Sequence, residues 1–433
     1  IVNELELYAF SRCFDRVPQE GKIELSRTVI AKFFNFFQFS SGVISVSLGL
    51  AALGLCFQPG HSRAETGPVY VGFDGEFGLP QSISAEQIEK GIRIAIDEIN
   101  RAGGVLGGRP LELMTKSNRS MPARGLKNIQ SFAKVKDMAA VVSGRFSPVV
   151  LQSLKILHET RMINLAAWSS ADPITKNGYT PNYVFRLSLR DSLAMPAMLG
   201  HLKKRGIKRV GLLLTNTSWG RSNEKAAAAY LSKTRAIKSV GTKWYQWRAT
   251  SMMSEYEYLK SKGAQAIILV GNDDEGATLL KEVAQLPKNQ RLPIVSHWGV
   301  TGGDFVRQAG EALFENDFAI IQSVSFLRMR PKKVERFLKT ARRLYGIKTV
   351  EDIDAPVGVA HAYDLIHILA RAINLAGSTD RSAIRDAMER VRDYDGLIKF
   401  YKQPFAAERH DALGLSDLLL ARYDRRGVLI PIN

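Results

Sequence analysis

Short β-rich runs alternate with amphipathic, crossover-length segments from residue 68 to the end of the chain, and this alternation limits the fold more than any single motif. PVYVGF (68–73) reads as a strand and SAEQIEKGIRIAIDEIN (84–100) as a helix. In that helix Ser84 and Gln87 have capping-box spacing, Ile88, Ile92, Ala95, Ile96 and Ile99 share one face, and Gly103-Gly104 stop it. ELMTKS (112–117), a helix over about 122–135 and the strand AAVVSG (139–144) continue the pattern. Ser147-Pro148 open the next helix, with Ser at the cap and Pro in the first turn. MINLAAW (162–168) is a further strand, and Asp172-Pro173 start a short turn or helix.

The same rhythm restarts after Arg186. RVGLLLTN (209–216), AIILVG (266–271) and PIVSHW (293–298) read as buried strands, separated by helices near 190–205, 221–234, 253–262, 275–286 and 303–313. FAIIQSVSF (318–326) leads to helices at 332–345 and 357–376, and LIKFY, DLLLARYD and VLIPI close the chain as strands. A parallel neighbour needs a connection long enough for a helix, so the alternation predicts parallel sheets covered on both faces. Two such runs predict an α/β protein of two doubly wound lobes. No short-period repeat and no long linker interrupts them.

The 433 residues are 45% apolar and 24% charged, ordinary globular usage that excludes whole-chain disorder. Only Val43 to Phe57, 15 residues, raises the question of a membrane span, and it is short for one. Arg12, Arg16, Lys22, Arg27 and Lys32 precede it and Ser62-Arg63-Ala64 follow. This order predicts a secretory signal within residues 1–64, cleaved after Ala64, and a periplasmic mature chain. Cys13 and Cys56 both fall in the leader, so the mature chain has no thiol for a disulfide, a metal or a nucleophile. Leu55 stands before Cys56 where lipid attachment requires a small residue. The whole chain carries +18; removing six Lys/Arg and five Asp/Glu with the leader leaves +17. These cations are scattered through loops and helix ends without an aromatic-interleaved stripe, which argues for a solvated basic surface and against nucleic acid.

Catalytic motifs are missing. There is no G-x-S-x-G elbow, no phosphate loop and no H-E-x-x-H. GGVLGG (103–108) follows a helix and precedes a strand, the reverse of a dinucleotide fingerprint, and reads as a helix stop and turn. His410-Asp411 are adjacent and no nucleophile accompanies them. We therefore expect a protein that is not an enzyme, with no cofactor and no metal. What remains is a binding pattern at strand ends, where open α/β sheets place their ligands. After the first-lobe strands stand Asp74 and Glu76, then Arg145-Phe146-Ser147, then Trp168-Ser169-Ser170. After the second-lobe strands stand Trp219, then Asn272-Asp273-Asp274-Glu275, then His297-Trp298 and Thr301. Three of the five Trp residues on strand-end loops predict a wall shared by the two lobes.

On these residues the chain resembles the periplasmic substrate-binding proteins of branched-chain, or hydrophobic, amino acid ABC transporters. The similarity runs over nearly all of 68–433. It is carried by G-x-x-x-A-x-D-E-I-N-x-A-G-G (91–104), S-G-R-F-S-P-V (143–149), F-R-L-S-L-R-D (185–191), S-H-W-G-V-T-G-G-D-F (296–305), A-H-A-Y-D-L (360–365), P-F (404–405) and H-D-A-L (410–413). The resemblance implies the type I periplasmic binding protein fold, two Rossmann-like lobes joined by three hinge crossovers. Lobe one would be 65–187 plus 322–396 and lobe two 188–321 plus 397–433. The implied function is capture of a small amino acid or related metabolite between closing lobes, and delivery to an inner-membrane ABC permease and its ATPase; the alternative is a ligand sensor that passes its occupancy to a receptor. A monomer is the default for this architecture.

The resemblance also implies site residues. The loops matching 144–147 and 168–172 would hold a ligand carboxylate through Ser147 and through Ser169 or Ser170, with Trp219 and Asn272 or Asp273 facing from lobe two. One departure matters. The family's amino acid binders place a Glu for the ligand ammonium in the loop matching 298–303, where this chain reads Trp298-Gly299-Val300-Thr301. A buried ammonium without a carboxylate is costly. Either Asp74, Glu76 or the acids at 273–275 replace that Glu, or the ligand is an amide, urea or an aromatic or aliphatic carboxylate with no ammonium.

Overall fold

The computed structural model describes residues 67–79 and 82–432; the expected signal segment, its cleavage point and both cysteines lie outside them. Two sheets carry the chain. The first holds β1 (Val69–Gly75), β2 (Leu111–Ser117), β3 (Met138–Ser143), β4 (Ile163–Ala166) and β5 (Val184–Arg186), in the order β2-β1-β3-β4-β5. All its pairings are parallel. The second is built on β6 (Arg209–Thr215), β7 (Lys238–Tyr245), β8 (Ala266–Val270), β9 (Ile294–Ser296) and β10 (Phe318–Gln322). A two-stranded ribbon, β11 (Tyr394–Asp395) with β12 (Phe400–Tyr401), follows, and β13 (Leu419–Tyr423) and β14 (Leu429–Ile432) end the chain. The second sheet runs β14-β13-β10-β9-β8-β6-β7.

In each sheet the first strand lies inside: β1 between β2 and β3, β6 between β7 and β8. The chain winds one way from that strand and then the other, which opens a crevice beyond the strands' carboxyl ends. β3 and β8 are buried at every residue, as strands covered by helices on both faces must be. The helix Ile83–Arg101 buries its Ile88, Ile92, Ala95, Ile96 and Ile99 stripe, and Gly91 lies against the backbone of Val359 on the helix Pro356–Ala376.

Several local readings are corrected. Ser82 is the N-cap of Ile83–Arg101, so Ser84 and Gln87 form no capping box; the Ser84 hydroxyl donates to Glu76 and Gln87 Nε2 to Asp354. Phe146 precedes the helix Ser147–Glu159, which makes Ser147 its first residue and not its cap. The expected helix at 303–313 is two short helices, Phe305–Ala309 and Ala312–Glu315, parted at Gly310, whose φ of 55° suits glycine. Of LIKFY only Phe400–Tyr401 is strand. β13 runs antiparallel to β10, and β14 runs antiparallel to β13 because the short 424–428 loop permits only a hairpin. β5, β7 and the helix Arg381–Arg390 had no clear sequence signal. β7 is an edge strand of intermediate burial almost throughout, so it lacks both an apolar run and a clean alternation.

The crossing of Ile83–Arg101 and Pro356–Ala376 depends on Gly91, where a Cβ would stand 2.3 Å from the Val359 carbonyl oxygen. Gly91→Ala should destabilise the protein by about 2 kcal/mol through overpacking, read as a lower urea midpoint. An unchanged midpoint would mean that the two helices separate without cost.

Candidate ligand-binding cleft

The carboxyl ends of the two sheets face each other across a cavity of about 300 Å³. From the first sheet it is lined by Phe146, Ser147, Trp168 and Ser170, and from the second by Trp219, Asn272 and Trp298. Seven of the expected residues therefore come together, from five different strand ends. The walls meet through aromatic pairs. Trp168 and Trp298 rings are 5.9 Å apart, and Phe146 and Trp247 rings 5.5 Å, each pair tilted by about 50°.

The remaining expected residues stand behind the lining. Asp74 is buried and accepts from Asn118 Nδ2 at 3.0 Å and Asn128 Nδ2 at 2.7 Å. Burial pushes its carboxyl up to about 6 against the pull of those two amides. Glu76 accepts from the Ser84 hydroxyl and, at 3.4 Å, from the Arg145 N–H. Ser169 donates to the Gly144 carbonyl at 3.1 Å and so ties the two carboxyl-end loops together. Thr301 donates to the Trp298 carbonyl at 2.8 Å, inside the turn that presents that indole. Asp273 is paired with Arg145 NH1 at 2.8 Å.

Several lining residues escaped the sequence reading: Ser120, Thr215, Thr217, Ser218, Trp247 and Gly299. Trp247 follows β7, the strand that the pattern did not reveal. Ser120 enters because the loop after β2 turns through positive φ at Arg119 (48°) and Ser120 (60°), which no Gly announces. Arg145 also lines the cavity, with its guanidinium 4.8 Å from the Phe146 ring centroid.

Ser147 illustrates what the lining offers a ligand. Its Oγ accepts from the Ala171 N–H at 3.2 Å, which orients the hydroxyl so that its own proton remains to be donated. It stands in the first turn of a 13-residue helix, where unpaired N–H groups and the dipole favour an anion. On the second sheet, Trp219 Nε1 donates to Asp191 at 3.3 Å, and the His297 ring meets Trp219 edge-on at 5.0 Å. Glu275 accepts from the Asn272 and Arg248 N–H groups at 3.2 and 2.8 Å, and burial raises its carboxyl above the ordinary range. It serves the loop backbone and does not line the cavity.

Further from the cleft, His410 and Asp411 have separate partners. His410 Nε2 lies 2.9 Å from Glu389, whereas Asp411 pairs with the buried Arg186 at 2.7 Å. His361 is fully buried, with Nδ1 2.8 Å from the Ala167 carbonyl and Nε2 3.0 Å from the Ser323 hydroxyl. It joins the loop after β4 to the segment leaving β10.

With the site in place, its kinship can be read. The sequence pattern of the periplasmic binding protein family matches residues 68–427, and the chain belongs to that family. It is 22% identical over 321 residues to a Brucella abortus protein named Leu/Ile/Val-binding protein homolog 1, covering 72% of this chain and 79% of the relative. Among solved structures, a type 1 periplasmic binding protein from Bordetella pertussis superposes with a TM-score of 0.75 at 24% identity, over 84% of this chain and all of the other. An ABC transporter solute-binding protein from Rhodopseudomonas palustris, in complex with 3,4-dihydroxybenzoic acid, superposes at 0.70 with 15% identity, over 85% and 97% of the two chains. The two-lobed type I fold is thereby established.

Burial drives the His361 pKa down to about 4, because the interior disfavours the imidazolium more than the Ala167 carbonyl favours it. The unfolded chain takes up this proton near 6.5, so His361 contributes stability above pH 6.5 that is lost as pH falls toward 4. Asp74 has the opposite sign, since its raised pKa adds stability as pH falls from about 6. Comparing the protein with His361→Gln cancels the Asp74 contribution. The stability difference between them should shrink by on the order of 3 kcal/mol from pH 6.5 to pH 4, measured by denaturant titration. A constant difference would show that His361 keeps an ordinary pKa.

Proposed function

We propose that the protein is the extracytoplasmic solute-binding component of an ABC uptake system. In this reading it captures a small carboxylate with a flat, apolar body and no ammonium group, and delivers it to an inner-membrane permease and its ATPase. The observation that carries the ligand class is the cavity lining: Phe146, Trp168, Trp219, Trp247 and Trp298 with Ser, Thr and Asn groups, and no carboxylate among the described lining residues. Indole and phenyl faces complement a planar apolar ligand, and the Ser147 and Ser170 loops, with the helix start at Ser147, complement its carboxylate.

Lobe one is 65–187 plus 322–396 and lobe two 188–321 plus 397–433, which close by rotation at three crossovers. The sheets support the boundaries at 187 and 322, since β1–β5 all precede residue 187 and β6–β10 lie between 188 and 322. The last boundary falls later than 396, because β11 pairs with β12 across it and Asp411 bridges Arg186 at the edge of the first sheet. Export by the leader, a periplasmic site of action and a binding role without catalysis belong to the same reading. The dihydroxybenzoic acid complex of the Rhodopseudomonas neighbour supports the aromatic carboxylate class. The Leu/Ile/Val-binding names of the relatives favour the amino acid reading instead, and the same experiment decides between them.

A thermal-shift series of the purified protein with benzoate, 4-hydroxybenzoate, 3-phenylpropanoate, leucine, isoleucine and valine tests the proposal. A ligand at a hundred times its Kd adds about 2.7 kcal/mol and raises Tm clearly. The aromatic carboxylates should raise Tm and change the tryptophan fluorescence, because four indoles line the cavity. A shift with the branched-chain amino acids alone would overturn the proposed ligand class.

A further inference from the structure

Glu76 follows β1 of the first sheet, and Asp273 opens the helix after β8 of the second, so these buried carboxylates come from opposite sides of the cleft. One side chain reaches both. Arg145, from the loop after β3, places NH1 2.8 Å from Asp273 Oδ1 and Nε 3.9 Å from Glu76 Oε1. Arg145 also lines the cavity, and its side chain is 8% exposed. Burial works against its charge, but Asp273 and Glu76 outweigh it and hold its pKa above the ordinary value.

The facing loop has been cleared for this pair. A Cβ at Gly302 would stand 2.1 Å from Arg145 NH1, and one at Gly303 1.9 Å from Asp273 Oδ2. Neither glycine has the positive φ that would explain it by backbone conformation. Two buried carboxylates beside a ligand cavity need a cation. Without Arg145 that cation would have to come with the ligand.

We infer that Arg145 is a specificity-determining residue: it supplies from the protein the positive charge that an ammonium group would bring, and so excludes amino acids in favour of their des-amino counterparts. This rests on the carboxylate reading above and goes beyond it, since it names the group that rejects the ammonium. An entering ammonium would have to displace a guanidinium already bonded to Asp273, or stand beside it unpaired.

The test compares leucine with 4-methylpentanoate, and phenylalanine with 3-phenylpropanoate, by fluorescence titration and thermal shift. The unaltered protein should prefer the des-amino member of each pair. Arg145→Met should move the preference toward the amino acid by about tenfold or more, while Arg145→Lys, which keeps a cation, should not. Should Arg145→Met fail to fold with two uncompensated acids, Arg145→Met/Asp273→Asn leaves a single carboxylate and should show the same gain. Adding Glu76→Gln to that double variant should remove the gain. An unchanged ratio in the folded variants overturns the role of Arg145 and leaves the carboxylate reading standing. A preference for leucine in the unaltered protein overturns both.

Discussion

Burying charge where two lobes meet is permitted only when the charges meet each other, and Glu76, Arg145 and Asp273 satisfy that condition across the cleft. Each comes from the carboxyl end of a different strand, β1, β3 and β8. These are the strands at or beside the two reversal points of the winding, so the topology and the ion pair are two aspects of one arrangement. Such a pair gives little net stability, because desolvation offsets much of the attraction. What it does give is register. With Arg145 opposite Asp273 none of these buried charges is left unpaired, and the tilted Trp168–Trp298 and Phe146–Trp247 contacts occur in that same alignment.

The division of labour around the cavity follows from polarity. The carboxylates stand behind the wall, where each finds a partner: Asp74 with two Asn amides, Glu275 with two backbone N–H groups, Glu76 with Arg145 and Ser84. The wall itself presents rings and hydroxyls, with the Asn272 amide and Arg145 as its other polar groups. The proposed ligand would meet dispersion and aromatic contact over its body, with hydroxyl and N–H donors at one edge. In the proposed binding role, closing the lobes around the ligand excludes water, and in the drier cavity those few donors act more strongly. Ser169, Thr301 and His361 hold the loops that carry the wall and touch the backbone of Gly144, Trp298 and Ala167.

The local errors of the sequence reading share one cause. Ser84 has the spacing of a capping residue, but the helix begins earlier, at Ile83, and the Ser84 hydroxyl is claimed by Glu76 from the neighbouring strand end. Ser147 likewise has the identity of a cap but stands one residue inside its helix, where its hydroxyl serves Ala171. A short polar side chain bonds whichever backbone or carboxylate group comes near, and nearness is a tertiary property. β7 was missed for a related reason: at a sheet edge its side chains are half solvated on both faces, so no periodicity marks them.

The sequence by itself determined the architecture, because helix and strand periodicities, caps and crossover lengths are local, and alternating them admits little besides doubly wound parallel sheets. It also determined which strand ends would carry Phe146, Ser147, Trp168, Ser170, Trp219, Asn272 and Trp298, since a residue after a buried parallel strand has one edge of the sheet to occupy. Only the tertiary structure decided which of those residues face the cavity. Asp74, Glu76 and Asp273 sit at the right strand ends, yet each is turned to a partner on another element: Asn118 and Asn128, Ser84 and Arg145, and Arg145 again. A carboxylate's partner depends on distances across sheets and lobes, which no local pattern encodes, and with it goes the charge that a ligand must carry.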